Sequence, residues 1–442
     1  MTITRDMLLK RLIDAKHNEF VKIITGIRRC GKSYLLFKLF KNHLLKSGIR
    51  KDHIIEIDLE NADFHPLQNP LKLLSYVKDR IKRDGRWTYV LIDEIQNCQK
   101  TLPPGTNLRL IHPDDRESAY VTFYSVLSEL RSMHRVDVYV TGSNSKFLIS
   151  DVATIFRGRG QSIQVTPLSL AEFMPLRKGM ESQAVFNEYL TFGGLPKCVL
   201  LKSDTERKSY LEELYRTIYL RDIIERNKIR SPEMVEHLLD VVMSGIGGLT
   251  NPNKIADTMN TVAKIDTNNK TVSKHLELLE NAFLIEKARR FDVKGRRYLE
   301  SPCKYYAIDT GLRNARINFR QNEPTHLMEN VIYNELVRRG YSVDVGVVPV
   351  ETRASGKHEI RQHEIDFVVN KADERIYIQS AYSISDPAKL TQETLSLRHV
   401  SDSFRKVVIT GNLLEKPWHD ENGIVFIGAM AFLLNPDRLE HL

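Results

Sequence analysis

Runs of mostly apolar residues recur through the first third of the chain. They are VKII (21–24), HIIEIDLEN (53–61), YVLI (89–92) and VDVYV (136–140), and polar residues follow each one. Such runs are typical of strands buried in a parallel sheet. Apolar residues at helical spacing predict helices at 1–20, 34–46, 70–83 and 120–133. The alternation predicts an α/β fold with a parallel sheet, which we place at residues 1–165.

The pattern changes after this first predicted domain. Residues 166–230 look helical and predict a linker or lid region, and residues 231–315 predict a winged helix-turn-helix. The elements predicted there are a helix at 232–244, a short helix at 254–259, an amphipathic helix at 271–281 and two strands joined by KGRR (294–297). Residues 316–442 predict a further α/β domain, in which a helix at 325–340 precedes three strands. Residues 99–118 are polar and rich in proline, which predicts a loop insertion.

The loop GIRRCGKS (26–33) joins the first strand to the first long helix and fits G-x-x-x-x-G-K-S, the phosphate-binding loop. Gly26 and Gly31 allow the tight turn that points backbone N–H groups at phosphates. Lys32 can reach the β- and γ-phosphates, and the Ser33 hydroxyl can ligate a magnesium ion. The predicted nucleotide-binding set is Gly26, Ile27, Arg28, Arg29, Cys30, Gly31, Lys32, Ser33 and Tyr34.

Two acids follow the buried run YVLI, at the strand end where α/β sheets bind ligands. Asp93 can accept a hydrogen bond from magnesium-bound water and is, with Ser33, a predicted metal residue. Glu94 can polarise the attacking water. The later strand ends in VTGSNS, where Ser143 or Asn144 can contact the γ-phosphate or position water. The predicted cofactors are therefore ATP and Mg²⁺.

Composition and charge indicate which partners and which cellular compartment to expect. The 442 residues carry a net charge of +9, which favours an anionic partner such as nucleic acid. The four cysteines are far apart, which is typical of reduced residues in a cytoplasmic protein. The N-terminus lacks the apolar core of a signal peptide, and the longest apolar run, at 424–434, is too short to span a bilayer. We expect no membrane association.

The segments ITGIRRCGKS, VLIDEIQN, VTGSNS, FRGRG, PLSLAEFM, YLTFGGLP and YLRDIIER together resemble a family of prokaryotic AAA+ ATPases with a winged helix and a C-terminal restriction-endonuclease-like domain. The resemblance covers nearly the whole chain and implies a Walker A loop at 26–33 and a Walker B pair at Asp93 and Glu94. It also implies a sensor at Asn144 and an arginine finger at Arg159, with Arg157 as the second choice. Such a finger acts on a neighbouring subunit, so the resemblance implies a homo-oligomer in the form of a ring or another assembly.

A winged helix-turn-helix at this position predicts that the chain contacts DNA or RNA. Its amphipathic helix would present Thr271, Ser273, Lys274 and His275 to a major groove. Its hairpin would contact phosphates. The basic residues of the hairpin are Lys287, Arg289, Arg290, Lys294, Arg296 and Arg297. The alternative is a lid or a protein-interaction module without nucleic acid.

The C-terminal helix and strands resemble the core of PD-(D/E)xK nucleases, with Glu329 on the helix and Asp366 on a strand. The third element should supply an acid and a lysine, but the chain has Gln379, Ser380 and Ala381 there. A neutral amide is a poor magnesium ligand and alanine carries no charge, so we predict a degenerate site without metal-dependent cleavage. Lys389 or Glu393 on the next helix are the alternative source of the missing groups.

These observations predict an oligomeric, Mg-dependent ATPase coupled to nucleic-acid binding or remodelling. Two alternatives stay open: a protein-interaction ATPase in defence, signalling or assembly, and an ATP-regulated nuclease. Arg28 and Arg29 have no role that follows from spacing, and we expect them to contact a partner or a carboxylate.

Overall fold

Five parallel strands form the sheet of the first part of the chain in the computed structural model. They are β1 (Val21–Thr25), β2 (Ile54–Asp58), β3 (Thr88–Asp93), β4 (Val136–Thr141) and β5 (Gly160–Gln164). Their order across the sheet is β2-β3-β4-β1-β5. Every residue of β1, β3 and β4 is buried, which explains why their sequences are mostly apolar; the charged residues Lys22 and Asp137 pair with each other. The sequence analysis lacks β5, because GQSIQ contains a single buried residue, Ile163.

Four helices accompany this sheet in the described part of the first unit. They are α1 (Asp6–Asp14), α2 (residues 32–46, with a π-helical middle at Leu35–Phe40), α3 (Pro70–Lys78) and α4 (Phe123–Ser132). Short 3-10 turns lie at Lys51–His53, Ala62–Gln68, Ile95–Asn97, Leu108–Leu110, Pro113–Asp115 and Glu117–Ala119. Helix α1 is shorter than the helix predicted for 1–20. Beyond its end, His17 and Glu19 have positive φ angles of 61°, a conformation that cannot continue a right-handed helix.

The chain divides into two compact units, Met1–Thr166 and Pro167–Leu442. The structure describes residues 3–142, 158–229, 231–321, 323–354, 357–411 and 416–440. The division lies one residue beyond the predicted end of the ATPase domain. The helical region predicted as a linker, the predicted winged helix and the predicted nuclease-like domain all lie in the second unit.

The second unit contains eleven described helices. They are α5 (Leu170–Phe173), α6 (Ser182–Phe192), α7 (Pro196–Leu200), α8 (residues 204–226, π-helical at Tyr215–Leu220), α9 (Pro232–Ser244), α10 (Pro252–Thr258, continued as a π turn at Met259–Ala263), α11 (Asn269–Asn281), α12 (Thr310–Arg316), α13 (Pro324–Arg338), α14 (Pro387–Arg398) and α15 (Ala429–Leu434), with a 3-10 turn at Met174–Leu176.

A nine-stranded mixed sheet is the centre of the second unit. Its strands are β6 (Leu249–Thr250), β7 (Ile285–Asp292), β8 (Arg297–Ala307), β9 (Ser342–Ala354), β10 (Lys357–Lys371), β11 (Glu374–Ala381), β12 (Arg405–Thr410), β13 (Trp418–His419) and β14 (Val425–Gly428). They follow the order β13-β14-β12-β11-β10-β9-β7-β8-β6. Apolar clusters lie on both faces, one containing α13 and the other α14.

The β7–β8 hairpin, predicted as the wing of a winged helix-turn-helix, is part of the nine-stranded sheet. The outer edge of β7 pairs in parallel with β9 at Arg290–Val345, Phe291–Gly346 and Asp292–Val347. This pairing satisfies backbone groups that a free hairpin would leave to water. The hairpin and the predicted nuclease-like strands therefore share one sheet.

Within the described residues, every helix falls short of the length and apolar character needed to cross a bilayer.

Candidate functional site

The loop between β1 and α2 is held in a shape that only glycine permits at its two ends. Gly26 has φ 137°, and a Cβ there would lie 2.1 Å from the carbonyl oxygen of Val165. Gly31 has φ 98° and precedes the first turn of α2. Ile27 and Cys30 are fully buried, so these two positions contribute backbone rather than side chain to the open face of the loop. Tyr34, half exposed, donates from its hydroxyl to the carbonyl of Ile3 at 3.4 Å.

Lys32 lies against this loop with its side chain 4 % exposed. Its Nζ donates hydrogen bonds to the carbonyl oxygens of Gly26 at 3.1 Å and Ile27 at 3.2 Å. The ammonium of Lys32 is thus held at the concave side of the loop. Phosphate oxygens bound there would contact both this ammonium and the N-terminus of α2.

The first turn of α2 and the ends of β3 and β4 bring three oxygen-bearing side chains together. The hydroxyl of Ser33 hydrogen-bonds to the carboxylate of Asp93. The hydroxyl of Thr141 donates to Oδ1 of the same carboxylate. Burial raises the pKa of Asp93 to about 6, although both hydroxyls oppose the shift, and the nearby acids Glu94 and Asp58 add to it. A buried carboxylate with this pKa gains from a cation placed beside it.

Glu94 sits at the turn that follows β3. Its φ is 52°, a left-handed conformation that is uncommon for a residue with a side chain. Its N–H donates to the Thr141 hydroxyl at 2.9 Å, and its carboxylate accepts a hydrogen bond from the amide of Gln96. The turn therefore directs Glu94, itself only 8 % exposed, at the same edge of the sheet as Asp93.

The sequence analysis missed three residues around this site. Thr141 lies in the quoted segment VTGSNS, one residue before the glycine, and its position at the end of a buried strand was the available signal. Arg5, on the N-terminal side of α1, is 3 % exposed and donates to the carbonyls of Cys30 at 3.2 Å and Thr166 at 2.7 Å. Such long-range contacts leave no local pattern in the sequence.

Glu60, the third missed residue, follows β2 at the same edge of the sheet. Burial and the charge of Glu94 raise the pKa of Glu60, and the charges of Arg28 and Arg29 lower it. Both arginines therefore lie near a carboxylate, one of the two roles that the sequence left open for them. Arg29 has a φ of 66° within the loop.

The remaining predicted catalytic residues divide into two groups. Asn144 and Arg157 lie outside the described residues. Arg159 is exposed, and its carbonyl accepts a hydrogen bond from the N–H of Val21 at 3.2 Å where β5 begins beside β1.

The predicted nucleic-acid residues of α11 lie partly at the surface. Ser273 and Lys274 are exposed, and Thr271 and His275 are half-buried. Nδ1 of His275 bonds to the carbonyl of Thr271 at 2.8 Å, and the Thr271 hydroxyl donates to Asn268 at 3.2 Å.

The hairpin presents exposed cations along and beyond β7: Lys287, Arg289, Lys294, Arg296 and Arg297. The guanidinium of Arg289 lies 4.0 Å from the centre of the Tyr298 ring, and Lys294 donates to the carbonyl of Pro349 at 3.1 Å. Arg290 is half-buried and contacts the amide oxygen of Gln362 at 3.4 Å. Lys294 and Arg296 also line a cavity of about 700 Å³ with Phe291 and Phe404.

The residues predicted for a degenerate nuclease site meet in the second unit. Glu329 on α13 and Asp366 on β10 both contact the ammonium of Lys304, at 2.9 and 3.5 Å. Gln379 is close as well, but its side-chain oxygen accepts from the backbone N–H of Asp366 at 3.4 Å. Lys389 and Glu393 pair with each other at 2.7 Å on α14. Lys304 was not predicted here, because the sequence places it on the hairpin.

Comparison with known families agrees with the geometry of the first unit. Residues 18–174 match the family described as "AAA domain", and they contain the loop, Asp93, Glu94 and Thr141. Residues 183–323 match a domain of unknown function (DUF8612), which runs from α6 to the residues before α13. The chain thus carries an AAA-type ATPase domain.

A protein of Haemophilus influenzae, described as uncharacterized, is 31 % identical over 430 residues, or 96 % of this chain and 97 % of that protein. The chain belongs to the same family as this protein. An uncharacterized protein of Methanocaldococcus jannaschii is 26 % identical over 400 residues, or 88 % of this chain and 79 % of the relative. Family membership therefore extends through both units.

Two solved structures show looser similarity. The Walker-type ATPase of Pyrococcus abyssi has a TM-score of 0.46 and 17 % identity, covering 72 % of this chain and 96 % of its own. The Aeropyrum pernix Orc1 protein, solved with DNA, has a TM-score of 0.27 and 10 % identity, covering 72 % and 93 %. Superpositions this loose carry no argument about function.

Proposed function

We propose that the first unit binds ATP at residues 26–33 and hydrolyses it with magnesium. One observation carries the proposal. Ser33 in the first turn of α2 is hydrogen-bonded to Asp93, and Thr141 links Asp93 to Glu94 at the ends of β3 and β4, next to the loop that holds Lys32. This arrangement places oxygen ligands, an ammonium and a second acid where a triphosphate on the loop would need them.

The donor set fits magnesium, because this ion prefers oxygen ligands and is usually held by one or two of them from the protein. Ser33 and Asp93 are already in contact through a hydrogen bond, so both can face one ion. When bound, magnesium would neutralise charge on the phosphate oxygens. Thr141 holds the Asp93 carboxylate in place, and Lys32 supplies a further positive charge on the loop.

Glu94 is the proposed general base. Its left-handed turn and its hydrogen bond from Gln96 fix the carboxylate beside the phosphate loop, where it can orient a water molecule and accept its proton.

Release of phosphate from ATP tests these roles. We expect Lys32→Ala to lose nucleotide binding or turnover, and Glu94→Gln to bind ATP while hydrolysis falls by about 10²–10⁴-fold. Glu117→Gln is a matched control, because Glu117 is an exposed acid that pairs with Lys100. A Glu94→Gln protein with the wild-type rate would remove Glu94 from its role, and a chain that takes up no ATP at any magnesium concentration would overturn the whole proposal.

We also propose that the chain assembles as a homo-oligomer in which Arg159 reaches a neighbouring subunit's nucleotide. Its exposed position at the start of β5 supports this role. Mixing tests it: Arg159→Ala subunits contribute an intact nucleotide pocket, whereas Glu94→Gln subunits contribute an intact finger. Hydrolysis should reappear in the mixture. Two inactive variants that stay inactive when mixed, while still co-assembling, would argue against action across subunits.

A second proposed activity is the coupling of ATP hydrolysis to nucleic-acid binding through the hairpin. The exposed cations of the hairpin favour it, since phosphate contacts by lysine and arginine dominate such binding. We expect the double variant Lys294→Glu/Arg296→Glu to weaken the binding of labelled DNA or RNA at low salt. Lys46→Glu/Lys51→Glu, with the same charge change on the first unit, should not. Nucleic acid that neither binds at low salt nor changes the ATPase rate would leave a protein partner as the alternative.

A further inference from the structure

Three carboxylates of the second unit converge on one ammonium group. Nζ of Lys304 lies 2.6 Å from Oε1 of Glu364, 2.9 Å from Oε1 of Glu329 and 3.5 Å from Oδ1 of Asp366. The side chain of Lys304 is 3 % exposed, so the contacts are made away from bulk water. We call these four residues the Lys304 cluster.

Separate elements build the cluster and fix its side chains. Lys304 comes from β8, Glu329 from α13, and Glu364 and Asp366 from β10. The Tyr306 hydroxyl donates to Oε1 of Glu329 at 2.7 Å. The N–H of Ser380 on β11 donates to Oδ2 of Asp366 at 2.8 Å. These supporting contacts come from two separate strands, β8 and β11, and they hold Glu329 and Asp366 facing the ammonium.

The charges in the Lys304 cluster do not balance without the lysine. Burial and the charge of Asp366 raise the pKa of Glu329 to about 7, while Lys304 and Tyr306 oppose that shift. Burial lowers the pKa of Lys304, but the three carboxylates outweigh burial and raise it above the ordinary value. Ionised acids this deeply buried need a cation in contact with them.

Two polar atoms beside the Lys304 cluster have no hydrogen-bond partner in the described part of the chain. They are Oγ of Ser380, a residue that is 6 % exposed, and Nδ1 of His326. His326 Nδ1 and both carboxylate oxygens of Glu329 lie within 3.3 Å of the position that a Cβ on Gly247 would take. Polar atoms without a hydrogen-bond partner among the described residues therefore lie next to the carboxylates of the Lys304 cluster.

The position of the Lys304 ammonium is the one that a metal ion would need to touch all three carboxylates. As they stand, the described residues contain no group of three His, Cys, Asp or Glu side chains arranged to hold a metal, and the three carboxylates are spaced around the ammonium at 2.6, 2.9 and 3.5 Å. Gln379 does not add a charge, and its side chain is turned to the N–H of Asp366.

We propose that Lys304 is an internal cation that takes the place of a divalent metal among Glu329, Glu364 and Asp366, and that replacing it by a neutral residue opens a divalent-cation site. The nuclease-like acids of the second unit are then partly neutralised by a lysine of the same chain. This inference concerns the second unit and does not depend on ATP hydrolysis in the first.

The test compares full-length wild type with Lys304→Met, each also carrying Asp93→Asn so that the first unit does not bind metal. Mn²⁺ binding is measured without nucleotide by calorimetry and electron paramagnetic resonance, and thermal unfolding is measured with EDTA and with Mn²⁺. Lys371→Met is the control, because Lys371 pairs with Glu440 at 2.8 Å at the exposed surface.

We expect Lys304→Met to unfold several degrees below wild type in EDTA, to bind one Mn²⁺ and to regain much of the lost melting temperature on binding it. Wild type and Lys371→Met should show neither the binding nor the metal-dependent shift. A Lys304→Met protein that is folded and takes up no Mn²⁺ would overturn the proposal.

Lys304→Met leaves three acids together, two of them buried, so the variant can fail to fold. Lys304→Met/Glu329→Gln then replaces it, because this pair removes one charge of each sign and keeps Glu364 and Asp366. Mn²⁺ binding by the double variant supports the proposal, and its absence overturns it. Cleavage of DNA or RNA by the wild type with Mn²⁺, lost on Asp366→Asn, would also overturn it, since metal would then act with Lys304 in place.

Discussion

The hydroxyl of Thr141 at the end of β4 donates a hydrogen bond to the carboxylate of Asp93 at the end of β3. The same oxygen accepts the N–H of Glu94 at 2.9 Å. One side chain therefore positions both acids of the proposed ATPase site, and it joins two neighbouring strands at the edge where the nucleotide would bind.

We expect Thr141→Val to lower kcat/KM for ATP by about 10–100-fold. Valine keeps the shape but removes both hydrogen bonds, and a bond to a charged group contributes about 1.5–3 kcal/mol. Thr141→Ser restores the hydroxyl and should recover most of the rate. The measurement is steady-state phosphate release, with thermal unfolding to confirm that both variants are folded. Equal rates for Thr141→Val and wild type would show that the hydroxyl does not position the acids.

Arg5 supports the phosphate loop from α1, and we expect Arg5→Met to weaken ATP binding by about tenfold. The variant loses the hydrogen bonds to the Cys30 and Thr166 carbonyls, worth on the order of 1–2 kcal/mol together. Lys10→Met is the control, because Lys10 is an exposed cation on the same helix. Binding of a fluorescent ATP analogue gives the affinities. A similar loss of ATP affinity in both variants would contradict a specific role for the Arg5 hydrogen bonds.

Asp309 gives the second unit a pH-dependent stability. Burial raises the pKa of Asp309 to about 6, although its carboxylate accepts the N–H of Gly194 at 2.7 Å and of Leu312 at 3.0 Å. Because this pKa lies above the unfolded value of 3.8, the folded state binds the proton more tightly than the unfolded state does. Protonation of Asp309 therefore contributes most to the free energy of unfolding at low pH. This contribution falls by about 3 kcal/mol in total as the pH rises to about 6.

Asp309→Asn should remove this dependence. We expect the difference in unfolding free energy between wild type and Asp309→Asn to shift in favour of the variant as pH rises from 4 to 6, and to stay constant above pH 7. Urea unfolding across this range measures it. Two parallel stability profiles would contradict the raised pKa.

Much of the first unit could be predicted from sequence. The runs before Asp93 and Thr141 are mostly apolar because both faces of β3 and β4 are buried. The loop needs glycine at positions 26 and 31 because of its backbone geometry. These are local requirements, so they leave local patterns. Lys32, Ser33, Asp93 and Glu94 all lie where those patterns placed them, at or beside the strand ends.

In the second unit, local sequence patterns do not predict the contacts between distant segments. The hairpin was recognised from its two strands and its KGRR turn, but its pairing with β9 joins residues more than fifty positions apart in sequence. Lys304 had no predicted role, and only the tertiary structure brings it to Glu329 and Asp366. Charge in a sequence does not reveal which opposite charge it will meet.

The sequence by itself determined the phosphate loop, the acids at the end of β3 and the α/β class of the first unit, because each depends on residues that are neighbours along the chain. The tertiary structure alone decided that Thr141 and Arg5 support the site and that Lys304 fills the space among three carboxylates. Those relationships depend on the order of strands within each sheet, and that order is set by packing between distant segments.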